Sequence, residues 1–389
     1  MYRLLTFALT SALWGADWPQ HLGPTRNAIA PEEFSPAGKI RWSRDVGAGF
    51  AAPVIAGGKL YLFHRAGNKE ICEALDPATG KTLWQTGYET TYRDDFGFDE
   101  GPRATPAVAG GRVFLHGANG TLTALDAATG VIRWSVQTMS QFGVSKQYFG
   151  QASAPLVIGD QVLLQVGGKG GIVAFEAATG KVRWTATQDE GGYASPTTYK
   201  PEEAIFFTRT GLVGLHPATG KIRFQMRWRA RSNTTVNAAT PVVIGNQVFV
   251  TASYGTGAAL VNLASTPVEV VWSGDESLSA HYATPVHKDG YLYGYHGRVE
   301  EGPELRCIEL KTGTVKWSTG RFGSGSILLA GSNLVIVKDN GELIVAAASP
   351  NGFKKLKEVK PISGTVRAYP ALANGTLYLR SENKLIAVQ

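Results

Sequence analysis

Short runs of alternating apolar and polar residues fill most of the chain. Residues 59–63 read Lys-Leu-Tyr-Leu-Phe and residues 112–116 read Arg-Val-Phe-Leu-His, both rich in residues that favour strands. Gly-Gly, Gly-Asp and Gly-Asn pairs separate neighbouring runs, where a hairpin needs positive φ. The pattern predicts many short antiparallel strands joined by tight turns, and therefore an all-β fold.

A turn motif repeats along these strands. Its first form is Asp-Pro-Ala-Thr-Gly at residues 76–80, with Trp84 four residues after the glycine. The acidic residue can accept hydrogen bonds from turn N–H groups, and the aromatic ring can be buried between sheets. Further glycine and aromatic pairs are Gly130 with Trp134, Gly180 with Trp184, Gly220 with Phe224, Gly313 with Trp317 and, more weakly, Gly352 with Leu356. The copy at 263–272 keeps Trp272 but lacks the glycine.

A second motif precedes each turn: a small or polar residue, then proline, then an apolar run. The starts are Pro53, Pro106, Pro155, Pro196, Pro241, Pro285, Ile327 and Pro370. Their spacing of 41 to 53 residues is close to the period of a four-stranded propeller blade. The count predicts an eight-bladed β-propeller; seven blades remain the alternative if the weak unit around Ile327 is an insertion.

The ends of the repeat predict how the ring closes. Residues 384–389 form the third strand of a unit, and residues 38–42 carry the glycine-to-tryptophan spacing of the missing turn and fourth strand. We expect residues 39–46 to complete the last blade, because this pairs strand edges that would otherwise stay open. The predicted propeller covers 38–389, with a lead-in segment at 17–37.

The first sixteen residues predict export. One arginine precedes an apolar run at residues 4–14, which is too short to span a bilayer and suits a secretory signal peptide ending near Ala16. A buried N-terminal strand is the alternative. No other stretch is apolar enough to be transmembrane, so the predicted signal peptide indicates a periplasmic or secreted protein. We also expect a monomer.

Composition and charge exclude several classes of protein. The net charge of +7 comes without a Lys/Arg block, so nucleic-acid binding is not expected. Cys72 and Cys307 match no zinc or haem-attachment spacing, and the histidines form no metal-binding motif. No P-loop, dinucleotide fingerprint or nucleophile elbow is present.

The turn and tryptophan motifs resemble those of the PQQ-like (pyrroloquinoline-quinone-like) repeat propellers of exported bacterial proteins. The resemblance, to that family's tryptophan-docking motif, covers residues 38–389. It implies either a quinoprotein dehydrogenase, with PQQ and Ca²⁺ at the channel mouth, or a non-enzymatic propeller such as the lipoprotein of the β-barrel-assembly machinery. The chain lacks the adjacent cysteines and the C-x-x-C-H haem site of the enzymes, and the lipidated cysteine of the lipoprotein.

Candidate ligand-binding residues precede the proline starts by three or four positions. Because the innermost strands begin beside the channel, these side chains are predicted to converge at one mouth and to bind an anionic or hydroxylated ligand. They are Arg103, Gln151, Tyr193, Asn237, His281 with Tyr282, and Arg367, with Ser324 in the seventh unit. The alternative is an inert, hydrated channel lining. A wet channel predicts that Arg103→Ala leaves the melting temperature nearly unchanged.

Three further segments carry charge or aromatic residues. The loop at 92–103 holds Asp94, Asp95, Asp99 and Glu100; local ion pairs are favoured there over Ca²⁺ binding, and its aromatics are candidates to cover the mouth or touch a partner. Residues 226–231 alternate basic and apolar side chains, which favours a half-buried strand with arginines outward. Residues 297–303 are interpreted as a surface loop.

The sequence favours an exported, non-enzymatic binding or scaffolding propeller of the bacterial envelope. Its partner would be an envelope protein, a glycan or a small polar ligand, with no catalytic residue, metal or cofactor predicted. The alternative is an enzyme with its site at the channel mouth, either a divergent quinoprotein oxidoreductase with PQQ and calcium or a sugar-active enzyme.

Overall fold

The computed structural model describes residues 17–229 and 236–389, and these form eight antiparallel sheets arranged as an eight-bladed propeller. Seven sheets have four strands, and one carries a fifth. The predicted signal peptide at 1–16, and residues 230 and 231 of the basic segment, lie outside the described residues.

The strands follow the chain blade by blade. Two come first: β1 (Ile29–Ala30) and β2 (Ile40–Asp45). Blades 1 to 4 are β3 (Val54–Ala56), β4 (Lys59–Ala66), β5 (Lys69–Leu75), β6 (Thr82–Glu89); β7 (Ala107–Ala109), β8 (Arg112–His116), β9 (Thr121–Asp126), β10 (Ile132–Gln137); β11 (Leu156–Ile158), β12 (Gln161–Gly167), β13 (Gly171–Glu176), β14 (Val182–Ala186); β15 (Thr197–Lys200), β16 (Glu203–Phe207), β17 (Gly211–Leu215), β18 (Ile222–Arg227). Blades 5 to 8 are β19 (Val242–Ile244), β20 (Gln247–Ala252), β21 (Gly257–Asn262), β22 (Glu269–Gly274); β23 (Val286–Lys288), β24 (Tyr291–His296), β25 (Glu304–Glu309), β26 (Val315–Arg321); β27 (Gly325–Ala330), β28 (Asn333–Lys338), β29 (Leu343–Ala347), β30 (Lys355–Val359); and β31 (Ala371–Ala373), β32 (Thr376–Arg380), β33 (Lys384–Val388). A short helix α1 (Thr138–Phe142) follows β10, and a 3₁₀ turn (Val299–Glu301) follows β24.

Each blade runs outward from the channel. First strands of neighbouring blades contact each other, as β3 does β7 and β31, which places them around the central axis. The second and third strands are almost wholly buried, whereas fourth strands such as β6 alternate exposed and half-buried residues. In β18 Met226 is half-buried and Arg227 exposed, as the alternation predicted.

The ring closes as the sequence predicted. Strand β2 pairs antiparallel with β33, with Ile40 opposite Val388 and Asp45 opposite Lys384, and so supplies the fourth strand of blade 8. The seventh unit is a complete blade, β27 to β30, so the seven-blade alternative is wrong.

The repeated tryptophans join adjacent blades. Each indole Nε1–H donates to a turn carbonyl of the next blade at 2.8–3.3 Å: Trp42 to Pro77, Trp84 to Ala127, Trp134 to Ala177, Trp184 to Pro217, Trp272 to Leu310 and Trp317 to Ser349. In five of these six pairs the ring also covers the turn glycine of the next blade; Gly352, which follows the turn that Trp317 reaches, is not covered. At Gly130, φ is +75° and a Cβ would lie 2.5 Å from the Trp84 ring, so both backbone and packing require glycine there.

The lead-in crosses one end of the channel. Trp18 bridges to Ile55 of blade 1, and Pro19 O accepts the N–H of Val108 of blade 2 at 2.8 Å. Farther along, β1 pairs parallel with β27 of blade 7. Arg26 of the same segment donates to Pro155 O of blade 3 at 2.9 Å. Because blade 3 lies opposite blade 7 in the ring of eight, the lead-in crosses the channel end.

Candidate functional site

A cavity of about 240 Å³ lies on the axis of the ring, above the lead-in. Most of the blades contribute to its wall, and six of the sixteen lining residues are Phe or Tyr. The lining residues are His21, Phe50, Phe98, Arg103, Thr105, Phe149, Ala152, Tyr193, Val236, Ala238, His281, Tyr282, Val299, Glu300, Arg367 and Tyr369. The site is therefore assembled from loops that are far apart in sequence.

Five of the seven predicted ring residues line this cavity: Arg103, Tyr193, His281, Tyr282 and Arg367. Gln151 and Asn237 do not, and each is only 2% exposed. The Asn237 side-chain amide donates to Thr208 O at 2.8 Å and Trp228 O at 3.0 Å. Two loop carbonyls thus hold the Asn237 amide inside the protein, whereas Gln151 Nε2 is buried without a hydrogen-bond partner among the described residues.

Arg103 is held by the loop that precedes it. Its guanidinium donates to the Asp94 carboxylate, whose side chain has no solvent exposure, and to Asp99 O at 3.0 Å. It also donates to the Tyr92 hydroxyl at 3.2 Å and to Phe149 O at 3.1 Å. Burial opposes ionisation of Asp94, but turn N–H groups and Arg103 bring the carboxyl pKa below its usual value. Arg103 therefore ties the loop at 92–103 to the wall.

Arg367 has far fewer partners. Its guanidinium lies 5.6 Å from the centre of the Phe50 ring and 5.4 Å from that of Phe98, both within the range of cation–π contacts. The ion-pair distance to Asp339 is 4.0 Å, the limit for such a contact. Arg367 is thus the cation of the cavity with hydrogen-bonding capacity to spare.

Two further predicted residues, His281 and Tyr282, are anchored by neighbours. Nδ1 of His281 accepts from Val299 N at 3.5 Å, so Nε2 carries the proton and donates to the Tyr254 hydroxyl at 2.8 Å. Burial lowers the His281 pKa and favours this neutral form.

The Tyr282 hydroxyl donates to the Asp339 carboxylate at 3.2 Å. Ser324, the residue predicted for the seventh unit, donates to the same carboxylate at 2.6 Å and does not line the cavity. Burial raises the Asp339 pKa, although Ser324, Arg367 and Tyr282 oppose this.

His21 of the lead-in forms the cavity floor and is not among the lining residues that the sequence predicted. Its ring nitrogens contact the hydroxyls of Thr105 at 3.4 Å and Thr240 at 3.2 Å, and its ring packs edge-on against Tyr369. Burial, helped by the positive charge of Arg26, lowers the pKa of His21 to about 3, so the floor is neutral. No local pattern around residue 21 signals this position, because the contact depends on the path of the lead-in.

An exposed aromatic surface continues from the cavity to the rim. We define the rim cluster as Phe96, Phe98, Tyr148 and Phe149. Phe96 lies 5.9 Å from Phe98, 5.9 Å from Tyr148 and 5.5 Å from Phe149 between ring centres. Phe96 and Phe98 are 55% and 54% exposed. Phe96 and Phe98 therefore lie at the channel mouth, the position expected if the aromatic residues of the loop at 92–103 cover it.

The predictions for the two charged loops, 92–103 and 297–303, agree with the structure to different extents. Asp95 pairs with Lys146, Glu100 pairs with Arg93, and Asp99 accepts backbone N–H groups of Gly49 and Gly101. These local contacts agree with the favoured interpretation of 92–103. The surface interpretation of 297–303 was incomplete, because the 3₁₀ turn places Val299 and Glu300 on the cavity wall.

The described lining of the cavity does not supply the ligands of a calcium site. Glu300 is its one lining carboxylate among the described residues, whereas Ca²⁺ takes about six to eight oxygen ligands. Residues 17–229 and 236–389 contain no cluster of three or more His, Cys, Asp or Glu residues that could hold a metal ion. Within the same ranges, no helix is both long and apolar enough to cross a membrane.

Comparison with known proteins identifies related sequences. A family model of PQQ repeats, described as outer membrane protein assembly factor BamB, matches residues 67–319, more than half of the chain. A curated relative, outer membrane protein assembly factor BamB of Shewanella oneidensis, is 26% identical over 141 residues, which cover 34% of this chain and 34% of the relative. The alignment thus spans about a third of that relative's length.

Solved structures share the fold at low sequence identity. BamB from Moraxella catarrhalis has a TM-score of 0.68 at 16% identity, covering 90% of this chain and 97% of that one. A europium-containing methanol dehydrogenase has a TM-score of 0.72 at 14% identity, with 94% and 89% covered. The same architecture therefore occurs in an assembly factor and in an enzyme, and fold alone does not choose between them.

Proposed function

This chain belongs to the PQQ-like repeat family, and we propose from that premise that it is an exported, non-enzymatic propeller that binds an envelope protein at the channel mouth. The observation that carries the proposal is the cavity at 240 Å³ together with the exposed rim cluster. Ligand pockets are commonly about 300–1,000 Å³, so this one better suits a single anchoring side chain than a cofactor.

The rim cluster and cavity have the character of a protein-binding surface. Interface hot spots combine an apolar anchor in a pocket with surrounding contacts that exclude water. Here Phe50, Phe98 and Phe149 wall the pocket, while Phe96 and Tyr148 extend the apolar surface outside it. We propose that a partner segment inserts an apolar side chain between these rings and places a negative charge beside Arg367.

The polar side chains of the mouth support binding over catalysis. Arg103, Tyr282 and His281 already hold neighbouring loops in place. A general base must be free to accept a proton near the operating pH, whereas both His281 nitrogens have partners and its pKa is lowered. The described groups thus shape the pocket, and relatives named as outer membrane protein assembly factors agree with a binding role.

Co-purification from envelope extracts tests this proposal with matched variants. Phe98 and Leu83 are 54% and 52% exposed, but Leu83 lies on the outer strand β6. We expect Phe98→Ala to lower recovery of the partner at least about tenfold, the effect of losing a hot spot, and Leu83→Ala to leave it unchanged. Equal recovery in both variants would contradict the proposal.

Thermal unfolding with PQQ and CaCl₂ separates this function from the quinoprotein alternative. A ligand of the folded state at about 100 times its Kd adds about 2.7 kcal/mol to stability. We expect no change in the unfolding midpoint. A saturable rise that Arg367→Gln abolishes would assign the cavity to the cofactor instead.

A further inference from the structure

A second, larger cleft lies beside the rim cluster. It has a volume of about 470 Å³ and is formed by the loop after β6, the loop after α1, the β12–β13 hairpin, the loop after β14 and the β16–β17 turn. Its size falls within the usual range of small-molecule sites. None of the cavity-lining residues belongs to it, and Tyr148 is the member of the rim cluster that it shares.

The charges of this cleft cancel. Lys146 pairs with Asp95, and Arg209 Nη1 lies 2.9 Å from Glu190 Oε2. Asp95 and Glu190 are 51% and 65% exposed, so their remaining oxygens face the solvent-filled cleft. Two cations and two carboxylates offer donors and acceptors side by side without net charge, which favours a neutral, polyhydroxylated ligand.

Gln147 helps to fix the wall of the cleft. Its Nε2 donates to Gly191 O at 2.7 Å, which joins the loop after α1 to the loop after β14. Its Oε1 is shielded from solvent, so this amide orders the wall and does not face a ligand.

Tyr148 supplies a flat apolar face at the cleft edge. Its side chain lines the cleft and is 40% exposed, and its ring is supported by Phe96 at 5.9 Å. An aromatic face stacks on the apolar C–H face of a sugar ring while the paired charges bond to its hydroxyls. Donors and acceptors whose charges balance, placed beside an exposed aromatic ring, are the combination that recognises a saccharide.

We propose that this cleft binds a neutral oligosaccharide of two or three units. Tyr148 stacks on one sugar ring, and the Asp95–Lys146 and Glu190–Arg209 pairs bond to the sugar hydroxyls. A free oligosaccharide and the end of a longer glycan share this chemistry.

Saturation-transfer NMR and calorimetry on the purified protein test the proposal. The probes are maltotriose, cellotriose and chitotriose, with trigalacturonate as the anionic comparator. We expect saturable binding of at least one neutral trimer, with Kd raised at least about tenfold by Tyr148→Ala and by Glu190→Ala. Binding of trigalacturonate alone, or of none of the trimers, would overturn it.

Phe98→Ala is the matched control, because Phe98 is an exposed aromatic of the same loop cluster that lines the cavity and not the cleft. It should leave trimer affinity unchanged. Trimer binding that falls equally in Phe98→Ala and Tyr148→Ala would also contradict the assignment. Co-sedimentation with insoluble cellulose and chitin then distinguishes a polymer end, which pelleting detects, from a free trimer.

Discussion

Trp134 performs two structural tasks at once. Its ring covers Gly180 of the next blade, and its Nε1–H bonds to Ala177 O at 3.0 Å. The side chain is 9% exposed, so its removal leaves a large cavity between blades 2 and 3. The glycine-to-tryptophan spacing predicts a buried aromatic because both features belong to one local turn.

Trp134→Ala is expected to lower the free energy of unfolding by about 3–5 kcal/mol, as large-to-small core substitutions do. Trp134→Phe keeps a six-membered ring but loses the five-membered ring and the hydrogen bond, so it should cost less, about 1–2 kcal/mol. Urea unfolding monitored by circular dichroism measures both. Equal losses for the two variants would show that ring packing is not the main contribution.

Arg103 and Arg367 occupy equivalent positions in their repeats but different environments. Arg103 bonds to Asp94, Tyr92 and Phe149, whereas Arg367 makes cation–π contacts with two phenylalanines. Position in the repeat predicts which residues face the channel. It does not predict which of them the neighbouring loops engage, because those loops differ from blade to blade.

Arg103→Ala is therefore expected to destabilise the protein, in contrast to the expectation from a wet channel. Losing the guanidinium leaves the Asp94 carboxylate buried without its cation, at a cost of about 3 kcal/mol. Arg367→Ala, whose ion pair is at 4.0 Å, should change stability far less. Thermal unfolding of the two variants side by side measures this difference. An unchanged midpoint for Arg103→Ala would restore the wet-channel interpretation.

At the scale of elements, the strands were predictable and some connections were not. Alternation and turn chemistry act within a few residues, so they located blades, hairpins and the closing strand β2. The path of the lead-in and the inward turn at Val299 depend on contacts between distant parts of the chain. For this reason His21 and Glu300 did not stand out in the sequence.

Two departures from the repeat prove to be paired. Blade 4 has Phe224 where six other blades have tryptophan, and the next blade lacks the turn glycine that such a ring would cover. Arg223 donates to the Leu263 carbonyl there. Arg223, next to Phe224, thus bonds to the turn of the next blade, which a tryptophan Nε1–H contacts between other blades.

The seam between blades 8 and 1 depends on a buried carboxylate. Arg44 of β2 donates to Glu73 at 2.8 Å, and His64 and Thr82 donate at 2.8 and 2.9 Å. Burial alone would raise the pKa of Glu73, but these hydrogen bonds and the charge of Arg44 lower it to about 2. Its contribution to stability is complete above about pH 4.5 and is lost as pH falls towards 2.

Glu73→Gln should therefore cost about 2–3 kcal/mol at pH 7, and its difference from the natural protein should vanish as pH approaches 2. Asp45→Asn, which removes an exposed ion pair with Lys384 on the same strand, should have little effect. Urea unfolding across this pH range measures both. A pH-independent difference for Glu73→Gln would contradict the role given to its charge.

On the scale of the whole molecule, ring closure brings the binding surfaces together. The cavity takes residues from the lead-in and from loops of most blades, and the saccharide cleft takes loops of blades 2 to 4. Sequence repeats predict such a mouth because every blade presents the same connection there. They do not predict its aromatic character, which comes from unique loop residues such as Phe50 and Phe149.

Site-specific photocrosslinking in intact cells tests the central claim most directly. Benzoylphenylalanine replaces Phe98 at the mouth or, as control, Leu83 on the outer strand β6, which is equally exposed. If a partner binds at the channel mouth, position 98 gives a discrete adduct with an envelope protein and position 83 gives none. Adducts from position 83 alone, or the same adducts from both positions, would contradict a partner-binding mouth.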